Sequence, residues 1–173
     1  SAHQIRADRP CNNCEIGQYN DKAGSNTIAD CKTCATGKYS NTAGAEKEES
    51  CKSCGIGKYL ETVGATEEND CKPCQIGKYV NKEGSAICND CPRGKFQVSE
   101  QQSECEDCDA GMYRSNDLPA DKCQQCEKGQ AQNTAGQGSC ISCPGGKYQH
   151  IVGEKECNTC DKGQYLEQVD VEN

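Results

Sequence analysis

Residues 51–71 read CKSCGIGKYLETVGATEENDC. A C-x-x-C pair (Cys51, Cys54) is followed by Gly57 three positions after the second cysteine, by Tyr59 two further on and by Gly64 ten after that cysteine; the next pair then opens at Cys71. Neither a heptad nor a sustained alternation of apolar and polar residues runs through it. A stretch of this kind closes a small loop through its cysteines and has no other means of holding itself together.

Reading outward, the plan recurs nine times. All 18 cysteines fall in the pairs 11/14, 31/34, 51/54, 71/74, 88/91, 105/108, 123/126, 140/143 and 157/160. The period is 20 residues for three steps and then 17, 17, 18, 17 and 17, which is the range of repeat arrays whose units stack on their neighbours. The composition agrees. Ile, Leu, Val and Phe together supply 18 of 173 residues, too few to offset chain entropy by burial alone, so covalent or metal cross-links must do so.

Within the unit, the aromatics occupy one place: Tyr19, Tyr39, Tyr59, Tyr79, Phe96, Tyr113, Tyr148 and Tyr165, with Ala131 the single departure. The G-x-aromatic segment reads as a short extended piece, the second Gly as a turn, and the remainder as a return to the next pair. The rings are expected to pack on a disulfide or the adjacent repeat, because a coreless unit needs its one large apolar side chain inside. The expected fold class is therefore a small disulfide-rich repeat protein, an elongated rod of about nine stapled loops with short β segments and little or no helix. Its parts are an N-terminal arm over 1–10, tandem CxxC/GxY repeats over 11–160, and an incomplete final repeat over 161–173.

Two chemistries compete for the cysteines. Successive pairs at C-x2-C-x16-C-x2-C spacing match a zinc ribbon, but nine pairs do not divide into four-cysteine sites, and His3 and His150 are the only histidines. Disulfides are the favoured reading, without metal or other cofactor. One scheme bonds the second cysteine of each pair to the first of the next: Cys14 to Cys31, Cys34 to Cys51, Cys54 to Cys71, Cys74 to Cys88, Cys91 to Cys105, Cys108 to Cys123, Cys126 to Cys140 and Cys143 to Cys157. The other joins pairs first-to-first and second-to-second, which leaves Cys157 and Cys160 idle. The first is preferred because it staples every G-x-Y loop individually.

The runs CKTCATGKYSNTAG and CKSCGIGKYLETVG resemble the ephrin-receptor-like cysteine-rich repeats, and the stapled loop is similar to the smallest module of tumour necrosis factor receptor ectodomains. The likeness spans residues 11 to 165; Pro, usual after the second cysteine, appears there only as Pro92 and Pro144. The resemblance implies an extracellular, non-enzymatic array of modules.

Closing the loops leaves Cys11 and Cys160 over, and the 13 residues after Cys160 equal in number those between Cys143 and Cys157. These ends are expected to meet between molecules, head to tail, with Cys11 and Cys160 as the intersubunit cysteines; a chain cut at a repeat boundary is the alternative. The net charge of −8 gives no basic footprint for nucleic acid, and no apolar run reaches the length of a membrane span. Exposed serines and threonines leave room for glycan decoration. No triad, phosphate loop or paired-carboxylate pocket argues for an enzyme. The expected function is a non-catalytic extracellular structural or adhesive rod, secreted or at the cell surface, assembling with itself into a filament or meeting other extracellular proteins. A receptor-type ectodomain binding a protein ligand and an intracellular zinc array are the alternatives.

Overall fold

The structure, a computed structural model, describes residues 10–166. Most of the expected N-terminal arm (1–9) and the second half of the final repeat (167–173) thus lie outside the described residues. The chain divides into two compact units, Ser1–Pro73 with Lys82–Ile87, and Cys74–Asn81 with Cys88–Asn173.

Both units are built from one local device. In the first, β1 (Gln18–Tyr19) pairs antiparallel with β2 (Lys32–Thr33), β3 (Lys38–Tyr39) with β4 (Lys52–Ser53), and β5 (Lys58–Tyr59) with β6 (Lys72–Pro73). In the second, β7 (Lys78–Tyr79) pairs with β8 (Asn89–Asp90), β9 (Lys95–Phe96) with β10 (Glu106–Asp107), β11 (Met112–Tyr113) with β12 (Gln124–Gln125), β13 (Gln130–Ala131) with β14 (Ile141–Ser142), and β15 (Lys147–Tyr148) with β16 (Asn158–Thr159). The odd strands are the G-x-aromatic segments. The even strands are the two residues between the cysteines of a pair. Cysteines three apart on an extended segment face opposite ways, so one sulfur bonds back and the other forward.

Eight disulfides follow, Cys14–Cys31, Cys34–Cys51 and Cys54–Cys71 in the first unit and Cys74–Cys88, Cys91–Cys105, Cys108–Cys123, Cys126–Cys140 and Cys143–Cys157 in the second, with Cα separations of 5.7–5.8 Å. We number the loops they close 1 to 8. A bridged sulfur has no thiolate to offer a metal, so the zinc-ribbon alternative loses its ligands.

Loop length has a structural cause. In loops 1 to 3 the bonded cysteines are 17 positions apart in sequence and in most later loops 14. The three additional residues form a 3-10 turn just before the closing cysteine, at Ile28–Asp30, Glu48–Ser50 and Glu68–Asp70. These turns sit in polar, acidic sequence that caps itself: Thr27 accepts from the Ala29 amide, and the Asp70 carboxylate accepts from the Thr66 and Glu67 amides at 2.9 and 3.1 Å.

The interior is made of sulfur and of the residue that follows the aromatic. Cys34, Cys54, Cys74, Cys108 and Cys126 are all but inaccessible, and so are Ser40, Leu60, Val80, Gln97, Arg114, Gln132 and Gln149. In loops 5, 7 and 8 the buried glutamine braces its own loop. Gln97, Gln132 and Gln149 donate through Nε2 to the carbonyls of Glu104, Ser139 and Glu156, each just before the closing cysteine, and accept through Oε1 from the amides of Ser99, Thr134 and Ile151. A polar core is tolerable here because these glutamines find partners at both ends, whereas among the described residues Gln18 Oε1 is buried without one.

Candidate functional site

With no catalytic constellation in view, the surface that carries chemistry is the face on which one loop docks on the next. Three backbone hydrogen bonds form it. In the first unit the Gly17 amide donates to the Ser40 carbonyl (2.8 Å), the Asn20 amide to Ala45 (2.9 Å) and the Gly44 amide to Cys14 (2.8 Å). The same set moves one loop on as Gly37 to Leu60, Ser40 to Ala65 and Gly64 to Cys34. The second unit repeats it, for instance as Gly129 to Gln149, Gln132 to Glu154 and Gly153 to Cys126. Backbone groups do the docking, so the side chains at these positions are free to vary.

The loops also touch their next-but-one neighbours, which corrects the expectation of contact between adjacent repeats alone. A Cβ on Gly17 would lie 2.2 Å from the Gly64 carbonyl oxygen, and one on Gly94 would lie 2.0 Å from that of Gly136. The units are so small that the turn of the second loop along reaches the first glycine, provided no side chain stands there.

The aromatics lie on the next loop's bridge. Tyr19 clusters with Cys34, Cys51 and Ala45, and Tyr39 with Cys54, Cys71, Leu60 and Ala65. Tyr59, Tyr79, Phe96 and Tyr113 are half-buried, while Tyr148 and Tyr165 are exposed, the latter by 86 %. Ala131, in their place in loop 7, is buried. Cys11 is exposed, Cys160 is half-buried, and both are unbonded. The Cys160 amide nevertheless donates to the Gly146 carbonyl at 3.1 Å, the bond that Cys34, Cys54, Cys91, Cys108, Cys126 and Cys143 also make to the glycine of their own hairpin.

Four of the five lysines between Gly and the aromatic, all but Lys147, are held within their own modules. Lys38 meets Glu48 at 3.3 Å and Lys58 meets Glu68 at 3.9 Å; Lys78 reaches Asp90 at 2.5 Å and Lys95 reaches Asp107 at 2.8 Å across their hairpins. Such exposed pairs add little stability, but they leave these lysines partnered within the chain. Lys32 lies 2.8 Å from Asp21, and that hydrogen bond holds the Asp21 carboxyl below the usual carboxylate range and raises Lys32. Lys72 is raised by its hydrogen bond to Glu61.

Sequence reasoning missed the row behind the aromatic. Its members share no chemistry, so no periodicity marks them; the only signal is position, one residue after each ring. It also missed Arg114. Loop 6 has Leu118 where most loops have the turn glycine, and the Arg114 side chain takes over the acceptor that the glycine amide would fill, the Cys91 carbonyl. It donates further to the carbonyls of Lys95, Pro92, Leu118 and Ser115. In loop 5 the same turn is made by Gln101 at φ 60°, in the left-handed region.

Among the described residues no group of three or more His, Cys, Asp or Glu side chains is placed to hold a metal ion. No described helix is long and apolar enough to cross a membrane. A family model described as tyrosine-protein kinase ephrin type A/B receptor-like matches residues 66–101, 77–118 and 116–154, together just over half of the chain. The matched span coincides with the modules of shorter period. No curated protein matches the chain in sequence.

Proposed function

The chain belongs to the tyrosine-protein kinase ephrin type A/B receptor-like family, a non-catalytic ectodomain type, and from that premise we propose that it serves outside the cell as a structural or adhesive repeat segment continuing head to tail from copy to copy. Eight disulfides and an ectodomain family favour an oxidising, extracellular setting, secreted or at a cell surface.

The observation that carries the reading is the recurrence of one three-bond docking set from loop to loop. A face that binds by backbone groups accepts any loop of the same kind, including one from another molecule. Tyr165 stands 86 % exposed although its counterparts in loops 1 and 2 are buried on the following bridge, and Cys11 and Cys160 are free. A second copy's loop 1 against Tyr165 would bury the ring and bring the two free cysteines into one neighbourhood, where exchange with a disulfide oxidant would join them. Such a heterologous contact propagates as a filament or closes as a ring.

Electron microscopy of the unreduced chain, with electrophoresis of the chain and of Cys160→Ser, tests this. Filaments of regular diameter and a reducible ladder lost in the variant are the expected results. A monodisperse monomer with two alkylatable thiols at high concentration overturns the assembly. A second reading, a receptor-type segment binding a protein ligand along its side, is favoured by the family itself.

A further inference from the structure

Loop 7 lacks the ring that its neighbours carry, and beside Ala131 lies a hollow of about 360 Å³ lined by Ile141, Lys147, Lys155, Glu156 and Cys157, among others, so that two lysines face one carboxylate. Its floor is the bridge of loop 8. In loops 1 and 2 the tyrosine covers the following bridge so well that Cys34 and Cys51, and Cys54 and Cys71, are all buried. Cys143–Cys157 is the one bridge of the eight with neither half buried.

The rest of the site differs from the other modules in the same direction. Across each hairpin the aromatic faces a polar residue, Lys32, Lys52 and Lys72 in the first unit and Asn89, Glu106, Gln124 and Asn158 in the second. Ala131 instead faces Ile141, which is 63 % exposed. A small residue opposite an uncovered apolar one leaves room for a flat ring between them. Lys147 is also unlike its equivalents: Lys38 and Lys58 meet Glu48 and Glu68, and Lys78 and Lys95 meet Asp90 and Asp107, whereas Lys147 faces Thr159 and meets no carboxylate among the described residues. Among the described residues neither Lys147 nor Lys155 enters an ion pair.

We propose that this hollow binds a tyrosine side chain carried on an extended acidic segment of a partner protein. The ring takes the place vacated at Ala131, against Ile141 and the Cys143–Cys157 bridge, and carboxylates beside it neutralise Lys147 and Lys155. A hollow of mixed lining, with an uncovered Ile141 for the ring and two unpaired lysines at the edge, suits recognition of one side chain and its neighbours. This goes beyond self-assembly, which uses the docking faces of the loops and leaves the hollow open.

The test is titration of the disulfide-intact chain with the peptide acetyl-Asp-Tyr-Glu-amide, followed by amide and methyl NMR shifts. Expected are saturable shifts centred on Ala131, Ile141 and Lys147, about tenfold weaker binding in Ala131→Tyr, which fills the hollow from within, and a similar loss in Lys147→Glu. The Lys147 change touches only exposed surface, so it reads the site even where Ala131→Tyr disturbs the fold. Absence of shifts at millimolar peptide, equal binding by the alanine analogue of the peptide, or undiminished binding to both variants overturns the proposal. So does occupation of the hollow by a second copy, seen as self-association that Ala131→Tyr removes and Tyr165→Ala does not.

Discussion

Gly37 and Gly84 meet so closely that a Cβ built on Gly37 would stand 2.0 Å from the Gly84 carbonyl oxygen. Gly37 also holds φ at +76°, in the region closed to most side chains. Gly37→Ala therefore suffers twice, by about 1–2 kcal/mol for the left-handed backbone and by about 1–3 kcal/mol for overpacking against a backbone that cannot step aside. Gly24 has almost the same φ, +72°, and nothing within 4 Å of its missing Cβ. Gly24→Ala is expected to lose only the conformational part. Denaturant unfolding of the two variants separates the effects, and equal losses would show that the contact between next-but-one loops is not tight.

The first glycine, the aromatic and the cysteine pair were legible because each recurs as one residue type at one position. From them came the stapled loops, the two-residue strands and the lack of long helix. What stayed hidden has mixed chemistry. Ser40, Leu60, Val80, Gln97, Arg114, Gln132 and Gln149 share a buried position, but a row holding serine, leucine and arginine looks like surface variation. The module supplies different partners each time: a carbonyl before the closing cysteine for the glutamines, five carbonyls for Arg114, apolar neighbours for Leu60. The tenth-position turn is built in more than one way, and the reason in loop 6, a guanidinium replacing an amide donor, depends on a contact 23 residues away in sequence. The hollow at Ala131 needed the structure as well, since a missing ring does not say what its absence uncovers.

Arg114 gives a sharp test of that polar core. Its guanidinium has five N–H donors, and the structure supplies five carbonyl acceptors and no carboxylate. Arg114→Ala leaves these carbonyls to water or to nothing, and a loss of about 3 kcal/mol is expected. Arg114→Gln combined with Leu118→Gly rebuilds the arrangement of the neighbouring loops, with a glutamine brace and a glycine amide for Cys91. The double variant is expected to recover most of the loss in thermal unfolding. Recovery by Leu118→Gly alone, with alanine kept at 114, would show that the Cys91 carbonyl is the only acceptor that matters.

The ion pair of Asp21 and Lys32 makes a prediction in pH. Lys32 lowers the Asp21 pKa by its hydrogen bond, so the pair favours the folded state wherever Asp21 is charged. That contribution is present above the ordinary carboxylate value and is lost as pH falls through the depressed folded value. For Lys72, raised by Glu61, the sense reverses: the contribution is present below the ordinary lysine value and is lost as pH rises through the raised one. Carboxyl NMR titration of Lys32→Ala is expected to return Asp21 upward into the usual range. Because both side chains are well exposed, salt at high concentration is expected to do much the same.

Exposure sets the order in which the bridges open. Thiolate attack needs access to sulfur, and Cys143–Cys157 offers both halves, whereas Cys34–Cys51 and Cys54–Cys71 lie beneath Tyr19 and Tyr39 with every sulfur-bearing residue buried. Brief treatment of the folded chain with limiting reductant, followed by alkylation and peptide mapping, is expected to label Cys143 and Cys157 first among the bridged cysteines, Cys11 and Cys160 being open to alkylation without reductant. Ala131→Tyr places a ring over that bridge and should slow its labelling without altering the others, whereas Tyr39→Ala uncovers Cys54–Cys71 and should speed it. Labelling of Cys54 and Cys71 at the same rate in the unaltered chain and in Tyr39→Ala would mean that the tyrosines do not shield the sulfurs, and would remove the reason for reading the place at Ala131 as one built for a ring.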